Sequence, residues 1–246
     1  MFEQTVAIAT KDGEMESYAF CPDEGGSYPA VILYMDAPGI REELHDFCRR
    51  IAAQGLYVLL PDMYYRLGKM RFDAKQMADP TTGVREKMFD AMNSLTNQLV
   101  MDDTQGMLNF MSADSRVKDG PKGCIGYCMS GRYVVSAAGT YPEQFKAVAS
   151  LYGVGIVTDE NDSPHLLAEK IKGELYLGFA SDDPYVPDNV IPDLQAALDQ
   201  NSVTYKLDVW PETEHGFCFP SRPPYKEDAA EQVWKLVFDM FGRKLS

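Results

Sequence analysis

The stretch of sequence that decides the fold is KGCIGYCMSG, residues 122–131. Its first seven residues are typical of a buried strand, and the small residues Ser130 and Gly131 then begin a helical pattern. A nucleophile elbow has this layout, in which a sharp turn strains the backbone of the nucleophile and small neighbours let the helix approach the strand. The stretch therefore predicts a nucleophilic Cys128 at the turn, where the N-terminus of the helix favours a thiolate.

A structural role for Cys128 is the alternative, because a free cysteine is more often a small buried apolar residue than a nucleophile. Cys124, in the middle of the same predicted strand, is expected to have that structural role. The elements on either side of the elbow favour the catalytic interpretation of Cys128.

Strand patterns alternate with helical patterns along the rest of the chain. Before the elbow, two segments joined by Lys11-Asp12-Gly13 predict an antiparallel hairpin, and two buried strands then flank a helix from about Arg41 to Ala53. After the elbow, three more strands alternate with helices, the last of which extends from about Glu227 to Phe241. The other strand segments are, in order, QTVAIAT, EMESYAF, PAVILYMD, LYVLLPD, KAVASLYG, ELYLGFAS and VTYKLDVW.

This order of elements predicts a single α/β domain over residues 1–246, because no linker, repeat or change of composition divides the chain. The central sheet is expected to be mostly parallel, with an antiparallel N-terminal hairpin and helices on both faces. Ligands of such sheets bind beyond the carboxyl ends of the strands. Arg66 to Leu95 is Met-rich and irregular, so it is interpreted either as plain packing or as a cap or lid over the ligand site.

The charge and composition of the chain exclude several classes of partner. A formal net charge of −14 over 246 residues repels nucleic acids and anionic membrane surfaces. No apolar run approaches the ~20 residues that span a bilayer, and the first residues lack the pattern of a signal peptide. The five cysteines include no CxxC pair. We therefore expect a cytoplasmic protein with reduced thiols, without nucleic-acid or membrane partners, that is a monomer or a small homo-oligomer.

Among the three histidines, His215 is the one placed to act as a general base. It follows the strand VTYKLDVW at the carboxyl edge of the sheet, whereas His45 falls within a helix and His165 at the beginning of a helical stretch. The acid that orients such a base is expected at the end of the strand ELYLGFAS, where Asp182 and Asp183 are both candidates.

Two backbone N–H groups are expected to form an oxyanion hole. One belongs to Met129, directly after the nucleophile. The other should come from the loop after PAVILYMD, and we assign it to Ala37 because Pro38 has no N–H.

These motifs resemble those of the dienelactone hydrolase family, in the same order and over nearly the whole chain. GYCMSG is close to the family's elbow GYCLGG, and the segments LPDMY, LYGVG, DPYVP and HGF match further family motifs. The match of DPYVP to the family's acid motif selects Asp183 over Asp182. The resemblance implies an α/β-hydrolase fold in which Cys128, Asp183 and His215 form the catalytic triad.

The resemblance also implies roles for residues around the triad. Family members have a glutamate that contacts the resting thiol, and the matching residue here is Asp36, which is one methylene shorter. Two arginines hold the carboxylate of dienelactone in the family; Arg85 matches one, while Phe219 replaces the other and Arg222 lies three residues further on. We expect Arg85, Tyr152, Phe219 and Arg222 to contact the substrate.

The expected reaction is hydrolysis of a small-molecule lactone or carboxylic ester through a thioester on Cys128. No metal or organic cofactor is expected, since the sequence has no HExxH, CxxC or GxGxxG motif. A class I glutamine amidotransferase also places a cysteine at an elbow, but it normally has a His-x-Glu pair, and here Gly216 and Phe217 follow the histidine. An alternative from another class is a catalytically silent protein of this fold that binds a ligand or acts as a thiol sensor.

Overall fold

An eight-stranded sheet forms the centre of the protein in the computed structural model, which describes residues 1–246 except for the side chain of Ala74. The strands of the described chain are β1 (Phe2–Thr10), β2 (Gly13–Cys21), β3 (Ala30–Tyr34), β4 (Tyr57–Pro61), β5 (Lys122–Tyr127), β6 (Phe145–Leu151), β7 (Glu174–Asp182) and β8 (Tyr205–Glu214). Their order across the sheet is β1-β2-β4-β3-β5-β6-β7-β8.

The helices connect these strands. The described chain contains α1 (Glu42–Ala52), α2 (Ala74–Ala78), α3 (Val84–Asn93), α4 (Asn97–Ala113), α5 (Ser130–Thr140), α6 (Val190–Gln200) and α7 (Glu227–Lys244), with short 3₁₀ helices at Tyr65–Leu67 and Pro164–Lys170. None of these helices combines the length and the apolar character that crossing a membrane requires.

The sheet has the mixed topology that the sequence predicts. Strands β1 and β2 form the antiparallel hairpin, β2 runs antiparallel to β4, and the strands from β4 to β8 across the sheet are parallel. Across the sheet, the connection from β3 to β4 runs in one direction and the connection from β5 to β6 runs in the other. Because such connections are right-handed, their helices α1 and α5 lie on opposite faces of the sheet. The predicted fold class is confirmed.

The central strands carry the core and also fix the position of the ligand site. Every residue of β3, β4 and β5 is buried, as expected of parallel strands covered on both faces. The direction of the strand order reverses between β3 and β5, and ligands of open α/β sheets bind at such a switch point. The loop after β3 and the elbow after β5 therefore lie side by side at the carboxyl edge.

Candidate active site

Cys128 lies at a strained turn between β5 and α5. Its φ angle is +55°, in the left-handed region that costs a non-glycine residue about 1–3 kcal/mol. The turn is fixed on both sides, because the Cys128 N–H donates to the Leu151 carbonyl at 3.1 Å and the Cys128 carbonyl accepts from the N–H groups of Gly131 and Val154 at 3.0 Å. The half-buried thiol is thus held at the N-terminus of α5, as the sequence predicts for an elbow.

Glycines allow the close contact between strand and helix at this elbow. A Cβ on Gly131 would lie 2.2 Å from the Cα of Gly153, and a Cβ on Gly126 would lie 2.5 Å from the Ser130 carbonyl oxygen. Ser130, where the family motif has glycine, is accommodated because its hydroxyl donates to the Met35 carbonyl at the end of β3. This bond joins the elbow helix to the neighbouring strand.

Asp183 and His215 follow the neighbouring strands β7 and β8, and their side chains are hydrogen-bonded. The Nδ1 atom of His215 lies 2.8 Å from Oδ2 of Asp183, and the two side chains are only 11% and 3% exposed. The register between the two strands shifts before the histidine, so that Ala180 pairs with Trp210 but Asp182 pairs with Glu214. A bulge of this kind re-aims the side chains that follow it, and here it precedes His215 directly.

The surroundings of His215 favour its protonated form. Burial acts to lower the pKa of His215, but hydrogen bonding to Asp183 and the nearby Cys128 outweighs burial and raises the pKa to about 9. The thiol is close enough to contribute to this rise, yet among the described residues Nε2 of His215 has no hydrogen-bond partner of regular geometry. This buried nitrogen is therefore available for proton exchange with the thiol or with a substrate.

The two backbone N–H groups expected for an oxyanion hole belong to adjacent segments of the structure. Ala37 follows β3, Met129 follows Cys128, and neither N–H donates a hydrogen bond to a protein group in the part of the chain that the structure describes. Buried Tyr64 contacts both residues: its hydroxyl donates to the Ala37 carbonyl at 2.8 Å and lies 3.5 Å from the Met129 sulfur. Tyr64 thereby fixes the two segments relative to each other.

Asp36 makes ion pairs with two arginines. Its carboxylate is completely buried, with Oδ1 2.5 Å from Nη1 of Arg41 and Oδ2 in contact with Arg222. Burial acts to raise the pKa of Asp36, but the charges and hydrogen bonds of Arg41 and Arg222 outweigh it and lower the pKa. The expected contact between Asp36 and the resting thiol is therefore corrected, since both carboxylate oxygens face arginines.

A cavity of about 410 Å³ lies beside Cys128 and His215. Cys128 and His215 line it together with Arg85 and Arg222, the two arginines for which contact with the substrate is predicted. The residues 66–95 supply part of its wall through α2 and α3. The other residues that line the cavity are Ala37, Pro38, Met77, Ala78, Met88, Phe89, Met92, Val154, Tyr185, Ser221 and Pro223.

Tyr152 and Phe219 are not among the residues that line the cavity, which corrects their expected contact with the substrate. Both side chains are completely buried. The Phe219 ring packs under the guanidinium groups of Arg41 and Arg222, which lie 4.8 and 4.3 Å from its centroid. The Tyr152 ring packs against His215 with a centroid distance of 5.1 Å. Both aromatic rings thus support residues of the site from below.

Sequence reasoning missed Arg41, Tyr64 and Tyr185. Tyr185 lies inside the DPYVP motif, and its ring packs on His215 at 4.8 Å while its hydroxyl accepts from Arg85 at 3.3 Å. The motif could have indicated this residue. Tyr64 likewise lies inside the LPDMY motif, which could have indicated it. Arg41 carries no comparable signal, because its contacts depend on how the loop after β3 folds.

Comparisons with known proteins agree with the fold and with the family resemblance. The sequence model of the dienelactone hydrolase family matches residues 15–245. A Synechocystis protein named “Putative carboxymethylenebutenolidase” is 26% identical over 98% of this chain and 96% of its own length, and a protein of Methylorubrum extorquens with the same name is 26% identical over 96% of this chain and 79% of its own length.

A solved structure from Klebsiella pneumoniae, named “Putative Dienelactone Hydrolase”, superposes with a TM-score of 0.85 at 22% identity and covers 98% of both chains. This likeness shows the fold, and the family match over most of the chain confirms the resemblance found in the motifs. The chain belongs to the dienelactone hydrolase family and is a hydrolase with the α/β-hydrolase fold.

Proposed function

We propose that this hydrolase cleaves a carboxylic ester or lactone, with Cys128 as the nucleophile, His215 as the proton carrier and Asp183 as the residue that orients the imidazole. The observation that carries this proposal is the part-buried Asp183–His215 hydrogen bond of 2.8 Å, whose histidine lines the same cavity as a strained cysteine. The relatives' name, carboxymethylenebutenolidase, denotes a lactone-cleaving enzyme and agrees with this reaction class.

The first half of the reaction forms a thioester. The Cys128 thiol passes its proton to Nε2 of His215, and the sulfur attacks the carbonyl carbon of the substrate. The carbonyl oxygen becomes an oxyanion, which the N–H groups of Met129 and Ala37 stabilise. The C–O bond then breaks and the leaving oxygen takes the proton from His215. In a lactone the alcohol formed in this way stays attached to the acyl group.

The second half hydrolyses the thioester. His215 takes a proton from water, the resulting hydroxide attacks the acyl carbon, and the C–S bond breaks to release the carboxylic acid. The departing sulfur recovers the proton from His215. Hydrogen bonding to Asp183 acts to raise the pKa of His215 and stabilises the protonated imidazole in both halves, without Asp183 itself accepting the proton. The contribution of Cys128 to that rise is present only while the thiol is free.

Arg222 is proposed to bind an anionic group of the substrate, with Arg85 as a second contact. Both arginines line the cavity, and a guanidinium group suits a carboxylate. Asp36 then serves as a buried support that holds Arg222 from behind, with Arg41 on its other oxygen. This role replaces the thiol-modulating role expected for Asp36.

The test of the proposed reaction is the Cys128→Ala variant with p-nitrophenyl acetate. We expect turnover to fall by about a thousandfold or more, because the covalent step is lost. Cys124→Ala is the matched control, since Cys124 is a buried thiol in β5, the strand that precedes Cys128. An acetyl group on Cys128 after rapid quenching, detected by mass spectrometry, would support the thioester. Wild-type turnover in Cys128→Ala would refute the proposal.

A further inference from the structure

The apolar face of α3 points into the catalytic cavity. Arg85, Met88, Phe89 and Met92 line the cavity at the i, i+3, i+4 and i+7 positions of one helix face. Residues on the remaining surface of the helix, such as Glu86 and Lys87, are exposed. The helix is therefore amphipathic, with its apolar stripe directed towards the cavity.

Three methionines of residues 66–95 form one side of the cavity: Met77 from α2 and Met88 and Met92 from α3. We call these three residues the methionine wall. All three are half-buried, whereas methionines of the core such as Met107 and Met111 are completely buried. Their side chains are thus only partly covered by protein atoms, and a ligand in the cavity would complete their burial. Methionine suits such a surface because its flexible, polarizable side chain adapts to apolar groups of different shapes.

We infer that the substrate carries an apolar group larger than an acetyl group, and that the methionine wall binds it beside the reacting carbonyl. This inference rests on the proposed ester or lactone hydrolysis and names the substrate class of that reaction. The apolar group lies on the acyl or the alcohol side of the bond that is cleaved, and water is the co-reactant. Each methylene group that becomes buried is expected to raise kcat/KM about fourfold.

The test compares esters that share a leaving group and differ in acyl length: p-nitrophenyl acetate, butyrate and hexanoate. Butyrate has two more methylene groups than acetate, so we expect kcat/KM to increase by roughly fifteenfold between these two esters in the wild-type protein. A second series, phenyl acetate and 1-naphthyl acetate, places the apolar group on the alcohol side. The inference is supported if kcat/KM increases with the size of the apolar group in either series. Met88→Gln should reduce this increase several-fold, and Met88→Leu should retain it.

Met70→Gln is the matched control, because Met70 belongs to the same segment but is not among the residues that line this cavity. It should keep the selectivity of the wild type. The inference is overturned if both series are flat, or if Met88→Gln lowers the rates of small and large esters equally. In either case, if Cys128→Ala abolishes the hydrolysis of p-nitrophenyl acetate, only this inference fails and the proposed reaction stands. If the wild type hydrolyses none of the esters, both proposals fail.

Discussion

His215 brings together a carboxylate and a thiol that are far apart in the chain. Asp183 is hydrogen-bonded to Nδ1, Cys128 lies near Nε2, and together they raise the pKa of the buried imidazole to about 9 against the opposing effect of burial. The ordinary value is 6.5. The folded protein therefore binds the proton of His215 more tightly than the unfolded chain does.

The Asp183→Asn substitution should reduce the pH dependence of stability that His215 causes. The pKa of His215 is higher in the folded protein than in the unfolded chain. Its contribution to the free energy of unfolding is therefore fully present below pH 6.5 and is lost as the pH rises through about 9. We expect the free energy of unfolding of the wild type to fall by up to about 3 kcal/mol over this window. In Asp183→Asn the fall should be smaller, since the pKa of His215 moves back towards its ordinary value.

Urea unfolding at several pH values across this window measures the effect. Asp182→Asn is the matched control, because Asp182 is the exposed neighbour in the same strand end. The control should keep the pH dependence of the wild type. Equal slopes in Asp183→Asn and the wild type would contradict the assignment of the raised pKa to this hydrogen bond.

Asp36→Asn should destabilise the protein. The substitution leaves Arg41 and Arg222 without the buried charge that both contact, and breaking a buried ion pair by removing one partner costs about 3–5 kcal/mol. Thermal or urea unfolding gives this difference. Asp46→Asn is a suitable comparison, since the carboxylate of Asp46 is 65% exposed beside Arg49 and should contribute less than about 1 kcal/mol. A similar small loss in both variants would mean that Asp36 does not support the arginines.

At the scale of elements, the contact between β5 and α5 determines where Cys128 lies. Gly131→Ala would place a Cβ 2.2 Å from the Gly153 Cα and 2.6 Å from Oγ of Ser150. Because the backbone of Gly153 must move, we expect a loss of about 1–3 kcal/mol in stability together with a displaced Cys128 and reduced esterase turnover. Thermal unfolding and the p-nitrophenyl acetate assay measure the two effects.

Gly242→Ala provides the comparison for this substitution. Gly242 lies in α7, and a Cβ there meets no other atom within 4 Å. Alanine favours a helix over glycine by about 0.5–1 kcal/mol, so this variant should be as stable as the wild type or slightly more stable, with unchanged turnover. If both variants behave alike, the close packing at the elbow is not what positions Cys128.

The elements that could be predicted from the sequence are those whose signals are local. The elbow is one contiguous stretch, so strand, cysteine and helix could be assigned together, and the strands that precede Asp183 and His215 are equally local. The Asp36–Arg222 contact joins residues 186 positions apart, and no periodic pattern indicates it. For α3, the spacing of Met88 and Met92 shows an apolar face, but only the packing shows that this face meets the cavity.

The charge of the whole molecule opposes the charge of its cavity. The chain has a formal net charge of −14, while Arg85 and Arg222 line the cavity beside Cys128 and His215. An anionic substrate is therefore repelled at long range and attracted once it is close to the two arginines. Salt separates these effects, because the Debye length falls from about 30 Å at 0.01 M to about 8 Å at 0.15 M ionic strength, which screens distant charges more than near ones.

We expect the rate with an anionic ester to increase with salt. Between about 0.01 and 0.15 M ionic strength, kcat/KM for monoanionic p-nitrophenyl succinate should rise several-fold, because the long-range repulsion is screened first. Uncharged p-nitrophenyl acetate is the control, and its kcat/KM should not change with salt. Any change that it does show measures the effect of salt on the chemical step. The opposite result is a fall of kcat/KM with salt for the anionic ester alone. It would mean that attraction by Arg85 and Arg222 outweighs the repulsion by the net charge at every distance from the cavity, so that the net charge does not hinder an anionic substrate.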